Sequence, residues 1–74
     1  MVFMKYCILC KDYKGNESYL EDFFFVEKAK GYSICTTGYE NSAMLFDNPF
    51  SANDVIEKIK NSFEPKTFRI AKFY

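Results

Sequence analysis

Apolar and polar positions alternate along the first half of the chain, which is the pattern of β-strands. The stretch KYCILCK (residues 5–11) is apolar on both faces, with Ile8 and Cys10 on one and Cys7 and Leu9 on the other, because successive side chains of a strand point to opposite faces. A strand that is apolar on both faces is predicted to lie inside a sheet.

Four further segments have strand character, and three turns separate the first four predicted strands of the chain from one another. The turns at residues 12–16, 29–31 and 38–41 each contain a glycine, which is suited to the positive φ of tight turns. The last strand is expected beside the first or the second strand. The predicted strands after the first are residues 18–28, 32–37, 42–47 and 66–74.

A helix is predicted after Asn48-Pro49. Ser51 fits the N-cap, and Asp54 three residues later fits the acidic position of a capping box. Pro65 limits the helix to about Phe63. The apolar stripe at helical spacing is Ala52, Val55, Ile56, Ile59 and Phe63.

The element order β-β-β-β-α-β predicts an α+β fold. We expect a small antiparallel sheet of about five strands with one helix packed on one face, as a single domain over residues 1–74. Whether residues 1–3 are a non-native or alternative start before Met4 is left open. The expected core residues are Ile8, Ile34, Leu45, Phe46, Ile56, Ile59, Phe63, Phe68 and Ile70.

Three consecutive phenylalanines at residues 23–25 lie in the second predicted strand. Alternation places the middle one on the face opposite to the other two. Glu21 and Glu27 flank the face of the outer pair, so we predict that this face points outward. The inward set is then Leu20, Phe24 and Val26, and the outward set is Tyr19, Phe23 and Phe25.

Two interpretations of the outward aromatic set remain open. Loops and lysine stems could cover these side chains. Alternatively, the set forms an exposed apolar patch, which on many proteins marks an interaction site.

Composition excludes several classes of protein. The chain is 49% apolar and 20% aromatic, which is too hydrophobic for a disordered segment. Ten basic and ten acidic residues cancel, which argues against a dedicated duplex-binding module. There is no apolar run of membrane-spanning length and no signal-peptide pattern, so we expect a cytoplasmic protein without a membrane partner.

Candidate chemistry is sparse. Cys7 and Cys10 form a C-x-x-C within a strand, where they face opposite sides and cannot converge on one metal ion. Cys35 is the remaining cysteine, and the chain has no histidine and no glycine-rich phosphate loop. We therefore expect no metal, no cofactor and no enzymatic activity.

The chain resembles small orphan proteins of AT-rich phages or mobile elements of Gram-positive bacteria. The resemblance lies in its size, in the abundance of residues with AT-rich codons, and in the helix start FSANDVIEKI (residues 50–59) followed by a closing strand. Such proteins often bind a host enzyme or defence complex. The resemblance therefore implies an inhibitor or modulator of a host protein, acting in the host cytoplasm if phage-encoded. No segment carries the motif of a named family, so the resemblance transfers no functional residue.

We expect a small non-catalytic protein-binding module that uses Tyr19, Phe23 and Phe25 or a sheet edge. A homodimer is left open. The alternative is a single-stranded nucleic-acid-binding module, in which aromatic residues stack on bases beside cations. Its candidate residues, in the C-terminal strand, are Lys66, Arg69, Lys72, Phe73 and Tyr74.

Overall fold

The computed structural model describes residues 4–61 and 67–73. This part of the chain has four strands and one α-helix, and a short 3₁₀ helix precedes the α-helix. The fold is α+β, as predicted, but the sheet has four strands and not five. The elements are β1 (Tyr6–Lys11), β2 (Glu17–Val26), β3 (Gly31–Thr37), the 3₁₀ helix (Glu40–Ser42), α1 (Pro49–Ile59) and β4 (Thr67–Lys72).

All neighbouring strands of the sheet are antiparallel, in the order β3-β2-β1-β4. The strand β1 lies inside the sheet, which confirms the interpretation of its two apolar faces. The final strand β4 returns beside β1, where Ile8 is opposite Ile70. The helix α1 packs on one side, which we call the helix face, and we call the other side the open face.

The hydrophobic core lies between α1 and the helix face. Ile8, Leu20 and Ile59 are fully buried there, together with Ala52 and Cys10. Leu45 was predicted to be in the core, but it is 40% exposed and does not join it. Phe63, another predicted core residue, lies outside the described residues. Partly buried residues around this centre include the predicted core members Ile34, Phe46, Ile56, Phe68 and Ile70.

The helix begins earlier than predicted. Asn48, not Ser51, is the N-cap, and its side-chain oxygen accepts a hydrogen bond of 2.8 Å from the Ser51 N–H. Pro49 occupies the first helical position, where its missing N–H costs nothing and its fixed φ suits a helix. The helix ends at Ile59, four residues short of the predicted end.

The segment predicted as a strand at residues 42–47 forms a single bridge. The pairing of β1 with β2 ends at Leu9 opposite Tyr19. Continuing that register would place Asp22 opposite Tyr6, but Phe46 lies there, exchanging hydrogen bonds of 2.9 and 2.8 Å with Tyr6. The segment therefore occupies the place that β2 leaves beside β1, and it is too short for a ladder.

A β-bulge in β2 overturns the predicted faces of the three phenylalanines. Leu20 is opposite Thr36 and Asp22 is opposite Cys35, so Glu21 is an extra residue. One extra residue changes which side chains share a face. Leu20 is buried as predicted, but Phe23 packs against the same core, while Phe24 is 50% exposed.

The bulge also separates the residues grouped by strict alternation. Tyr19 is opposite Leu9 on the open face, whereas Phe23 lies on the helix face and Phe25 joins it there through its contact with Tyr32. Val26 follows Phe24 by two residues and shares the open face with it. The prediction was therefore wrong for Phe23, Phe24, Phe25 and Val26.

Candidate protein-binding hairpin

Beyond the bulge, β2 and β3 pair with each other as a hairpin, and β2 no longer pairs with β1. We call residues 22–35 the aromatic hairpin. Its two strands pair with each other from Asp22 opposite Cys35 to Val26 opposite Gly31, and a four-residue turn joins them. Among the described residues no further strand pairs with either edge of this hairpin.

Aromatic side chains occupy both faces of the aromatic hairpin. On the helix face, the Tyr32 ring lies 5.4 Å from the Phe25 ring and 6.0 Å from the Phe23 ring, measured between centroids. Phe23 and Tyr32 reach the core, but Phe25 lies beyond it and is 56% exposed. With Phe24 half-exposed on the open face, the hairpin presents a phenylalanine ring on each side.

Acidic residues flank these rings, two in β2 and one at the start of the turn that follows it. Glu21, Asp22 and Glu27 are all exposed. The Asp22 carboxylate accepts a hydrogen bond of 2.8 Å from the Phe23 N–H, so one backbone donor of β2 is already occupied by a side chain. Carboxylates therefore partly protect this edge of the hairpin against pairing with another strand.

The structure divides the predicted aromatic site. Phe23 and Phe25 are together on the aromatic hairpin, while Tyr19 is half-buried on the opposite face before the bulge. Phe24 was missed as a surface residue. The available signal was the adjacent pair Glu21 and Asp22, because two consecutive carboxylates break alternation and a bulge allows both to be exposed.

The candidate residues of the alternative nucleic-acid site lie apart. Arg69 donates hydrogen bonds of 2.9 and 3.3 Å to the two carboxylate oxygens of Glu17 on the open face. Lys72, three residues later in β4, points to the opposite face. Phe73 is half-buried, and its N–H donates to the Lys5 carbonyl at 2.7 Å. Lys66 and Tyr74 lie outside the described residues.

The Arg69–Glu17 pair perturbs both of its members. The hydrogen bonds and charge of Arg69 hold the pKa of Glu17 below its usual value. In the reverse direction, the Glu17 carboxylate raises the pKa of Arg69. A cleft of about 130 Å³ adjoins the pair, which is smaller than typical small-molecule sites. Its lining residues are Leu9, Lys11, Glu17, Thr67, Phe68 and Arg69.

The cysteines occupy three different environments. Cys10 is buried in the core on the helix face, and Cys7 is buried on the other side of β1, whereas Cys35 is exposed on β3. Burial raises the pKa of the Cys7 thiol, and the positive charge of Arg69 acts in the opposite direction. Within residues 4–61 and 67–73, no three histidine, cysteine, aspartate or glutamate side chains gather as metal ligands.

Comparison of the chain with protein-family models, with curated proteins and with solved structures finds no match. In the described part of the chain, no helix has the length and apolar character needed to span a bilayer.

Proposed function

We propose that this chain is a non-catalytic protein-binding module and that the aromatic hairpin is its binding surface. The observation that supports the proposal is the exposure of Phe24 and Phe25, at 50% and 56%, on opposite faces of one two-stranded ribbon. Aromatic anchors carry a large share of the binding free energy in many interfaces.

The chemistry of the hairpin suggests the shape of its partner. A groove with apolar walls would contact Phe24 on one side of the ribbon and Phe25 on the other. The carboxylates of Glu21, Asp22 and Glu27 lie next to these rings, so basic residues on the rim of such a groove would complement them. The resemblance to small proteins of phages and mobile elements supports a role as an inhibitor or modulator of a host protein.

The test is a pull-down with tagged chains from a nuclease-treated lysate of a Gram-positive bacterium. The variants are wild type, the double substitution Phe24→Ala with Phe25→Ala, and the control Phe50→Ala. Phe50 is 80% exposed on the first turn of α1, so it is a matched exposed phenylalanine outside the hairpin.

We expect one stoichiometric protein with wild type and with Phe50→Ala, and its loss with the double variant. Thermal melts of all three chains establish that the double variant is folded. A partner that the folded double variant retains contradicts the proposed surface. A parallel pull-down omits the nuclease. Recovery seen only in that untreated lysate instead supports the nucleic-acid alternative, which Arg69→Ala and Lys72→Ala would then test.

A further inference from the structure

The two edges of the sheet differ in charge. The edge strand β4 contains Arg69 and Lys72, and charged residues on an edge strand commonly prevent pairing with other chains. The other edge strand, β3, reads GYSICTT and contains no charged residue and no proline. The bulge belongs to β2. Thus β3 lacks the usual features that prevent one edge from pairing with another.

Charges of opposite sign flank β3. Lys30 precedes its first residue and Glu40 follows its end by three residues, and both are exposed. Among the described residues, neither side chain forms an ion pair. A strand with a free cation at one end and a free anion at the other is complementary to an antiparallel copy of itself.

We propose that two copies of this chain form a symmetric dimer by antiparallel pairing of their β3 edges, with the two-fold axis at Cys35. The two sheets would join into one sheet of eight strands. In this register Ile34 is opposite Thr36 of the second copy. The chain bends at Gly38 and Glu40 begins the 3₁₀ helix, so the strand register ends before Glu40. Antiparallel pairing still brings Lys30 of one copy to the end of β3 at which Glu40 of the second copy lies, and the symmetry generates the same approach at the other end.

Other ways of pairing two copies bring like charges together. Parallel pairing of two β3 strands would place Lys30 of one copy beside Lys30 of the other. Antiparallel pairing of the free edge of the aromatic hairpin about Phe24 would place Glu21 opposite Glu27. Antiparallel pairing of two β4 edges about Arg69, or about the point between Ile70 and Ala71, would bring their cations together. The β3 edge therefore fits a second copy better than the alternatives do. The dimer does not rest on the proposed protein-binding function and leaves Phe24 exposed.

The first experiment measures the dimer dissociation constant by sedimentation equilibrium in reducing buffer. We expect wild type to dimerise and Lys30→Glu to weaken the dimer about tenfold or more, because like charges replace opposite charges at both ends of the interface. The double variant Lys30→Glu with Glu40→Lys restores opposite charges and should recover the wild-type dissociation constant.

The second experiment introduces a cation on each edge. Cys35→Lys places two lysines face to face at the proposed axis and should give a monomer. The matched control is Thr67→Lys, which changes an exposed residue on the β4 edge and should leave the dimer intact. Melts of both variants test their folding, and the charge exchange at Lys30 and Glu40 provides the test if Cys35→Lys does not fold.

The third experiment uses Cys35 as a proximity probe. Added diamide should oxidise the two Cys35 thiols to one interchain disulfide, taking up their two electrons and two protons to become the hydrazine. The control chain carries Cys35→Ser with Thr67→Cys, which moves the exposed thiol to the other edge, and it should crosslink at least tenfold more slowly.

Several results would overturn the proposal. One is a wild-type chain that stays monomeric up to millimolar concentration. Another is a dimer that Thr67→Lys disrupts as much as Cys35→Lys does, and a third is a dimer that the charge exchange does not restore. Equal crosslinking rates for the two thiol positions would show random collision and remove the assignment of the axis to Cys35.

Discussion

At the scale of single residues, Phe23 and Phe24 have opposite environments although they are adjacent. Phe23 packs against the core and contacts Tyr32, whereas half of Phe24 is exposed on the other face. The difference arises at Glu21, two residues before Phe23, where the bulge adds one residue to β2.

This contrast predicts the stability of alanine variants. Phe23→Ala should lower the free energy of unfolding by roughly 2 kcal/mol, because it removes a half-buried ring next to the core. Phe24→Ala should lower it by less than about 1 kcal/mol, as expected for an exposed side chain. Urea melts of both variants, with Phe50→Ala as the exposed control, provide the measurement. A larger loss for Phe24→Ala would mean that the bulge does not exist in solution.

Burial likewise separates the reactivities of the three thiols. In dilute native protein at pH 8, we expect one fast reaction with a disulfide reagent, from Cys35, because Cys7 and Cys10 are buried and burial raises the pKa of Cys7. Cys35→Ser should abolish the fast phase, and denaturant should expose both remaining thiols. Fast modification of two or three thiols in the native protein would contradict the burial of β1.

At the scale of elements, the start of α1 depends on Asn48. Its side chain binds the Ser51 N–H, which is one of the helix donors that have no backbone partner. Ser51 itself lies inside the helix, exposed to solvent.

Two single substitutions distinguish the observed N-cap, Asn48, from the predicted N-cap, Ser51. Asn48→Ala should reduce stability by about 1 kcal/mol through loss of the N-cap. Ser51→Ala should change it by no more than about 0.5 kcal/mol, because alanine is favourable inside a helix. Urea melts and helical circular dichroism compare the two variants. Equal losses, or a larger loss for Ser51→Ala, would place the helix start at Ser51.

At the scale of the whole molecule, one ion pair spans the middle of the sheet. Glu17 belongs to β2 and Arg69 to β4, and β1 runs between these strands. Both side chains lie on the open face, where the ion pair passes over β1. The interaction therefore links three strands whose residues are far apart in sequence.

This ion pair predicts a pH dependence of stability. The pKa of Glu17 is lower in the folded chain, so the pair stabilises the fold above the ordinary glutamate pKa. That stabilisation is lost as pH falls through the depressed pKa. Arg69→Gln should therefore lower the urea midpoint at pH 7 and reduce its further decrease between pH 5 and about pH 2.

The control is Lys28→Gln, which removes a charge from the exposed turn of the aromatic hairpin. It should leave the acid dependence of the urea midpoint close to that of wild type. An Arg69→Gln chain with the same acid dependence as wild type would show that the pair contributes nothing in solution.

Local sequence determined the elements whose signals are short-range. The two apolar faces of residues 5–11 marked β1 as interior, and the stripe through Ala52 and Ile59 correctly identified residues buried beneath α1. The α+β fold followed from the order of these patterns. The helix start was misplaced because Asn48 and Ser51 are both good N-cap residues, and only the fold of the chain before Pro49 chooses between them.

The tertiary structure decided which face of β2 points to the core. Alternation of side chains is an unambiguous rule, but it assigns the wrong faces after a bulge. The bulge at Glu21 lies where β2 stops pairing with β1 and the segment containing Phe46 pairs with β1 instead. That exchange involves residues about 40 apart in sequence. Burial of Phe23 and exposure of Phe24 follow from it, because one inserted residue inverts a pattern that repeats every two residues.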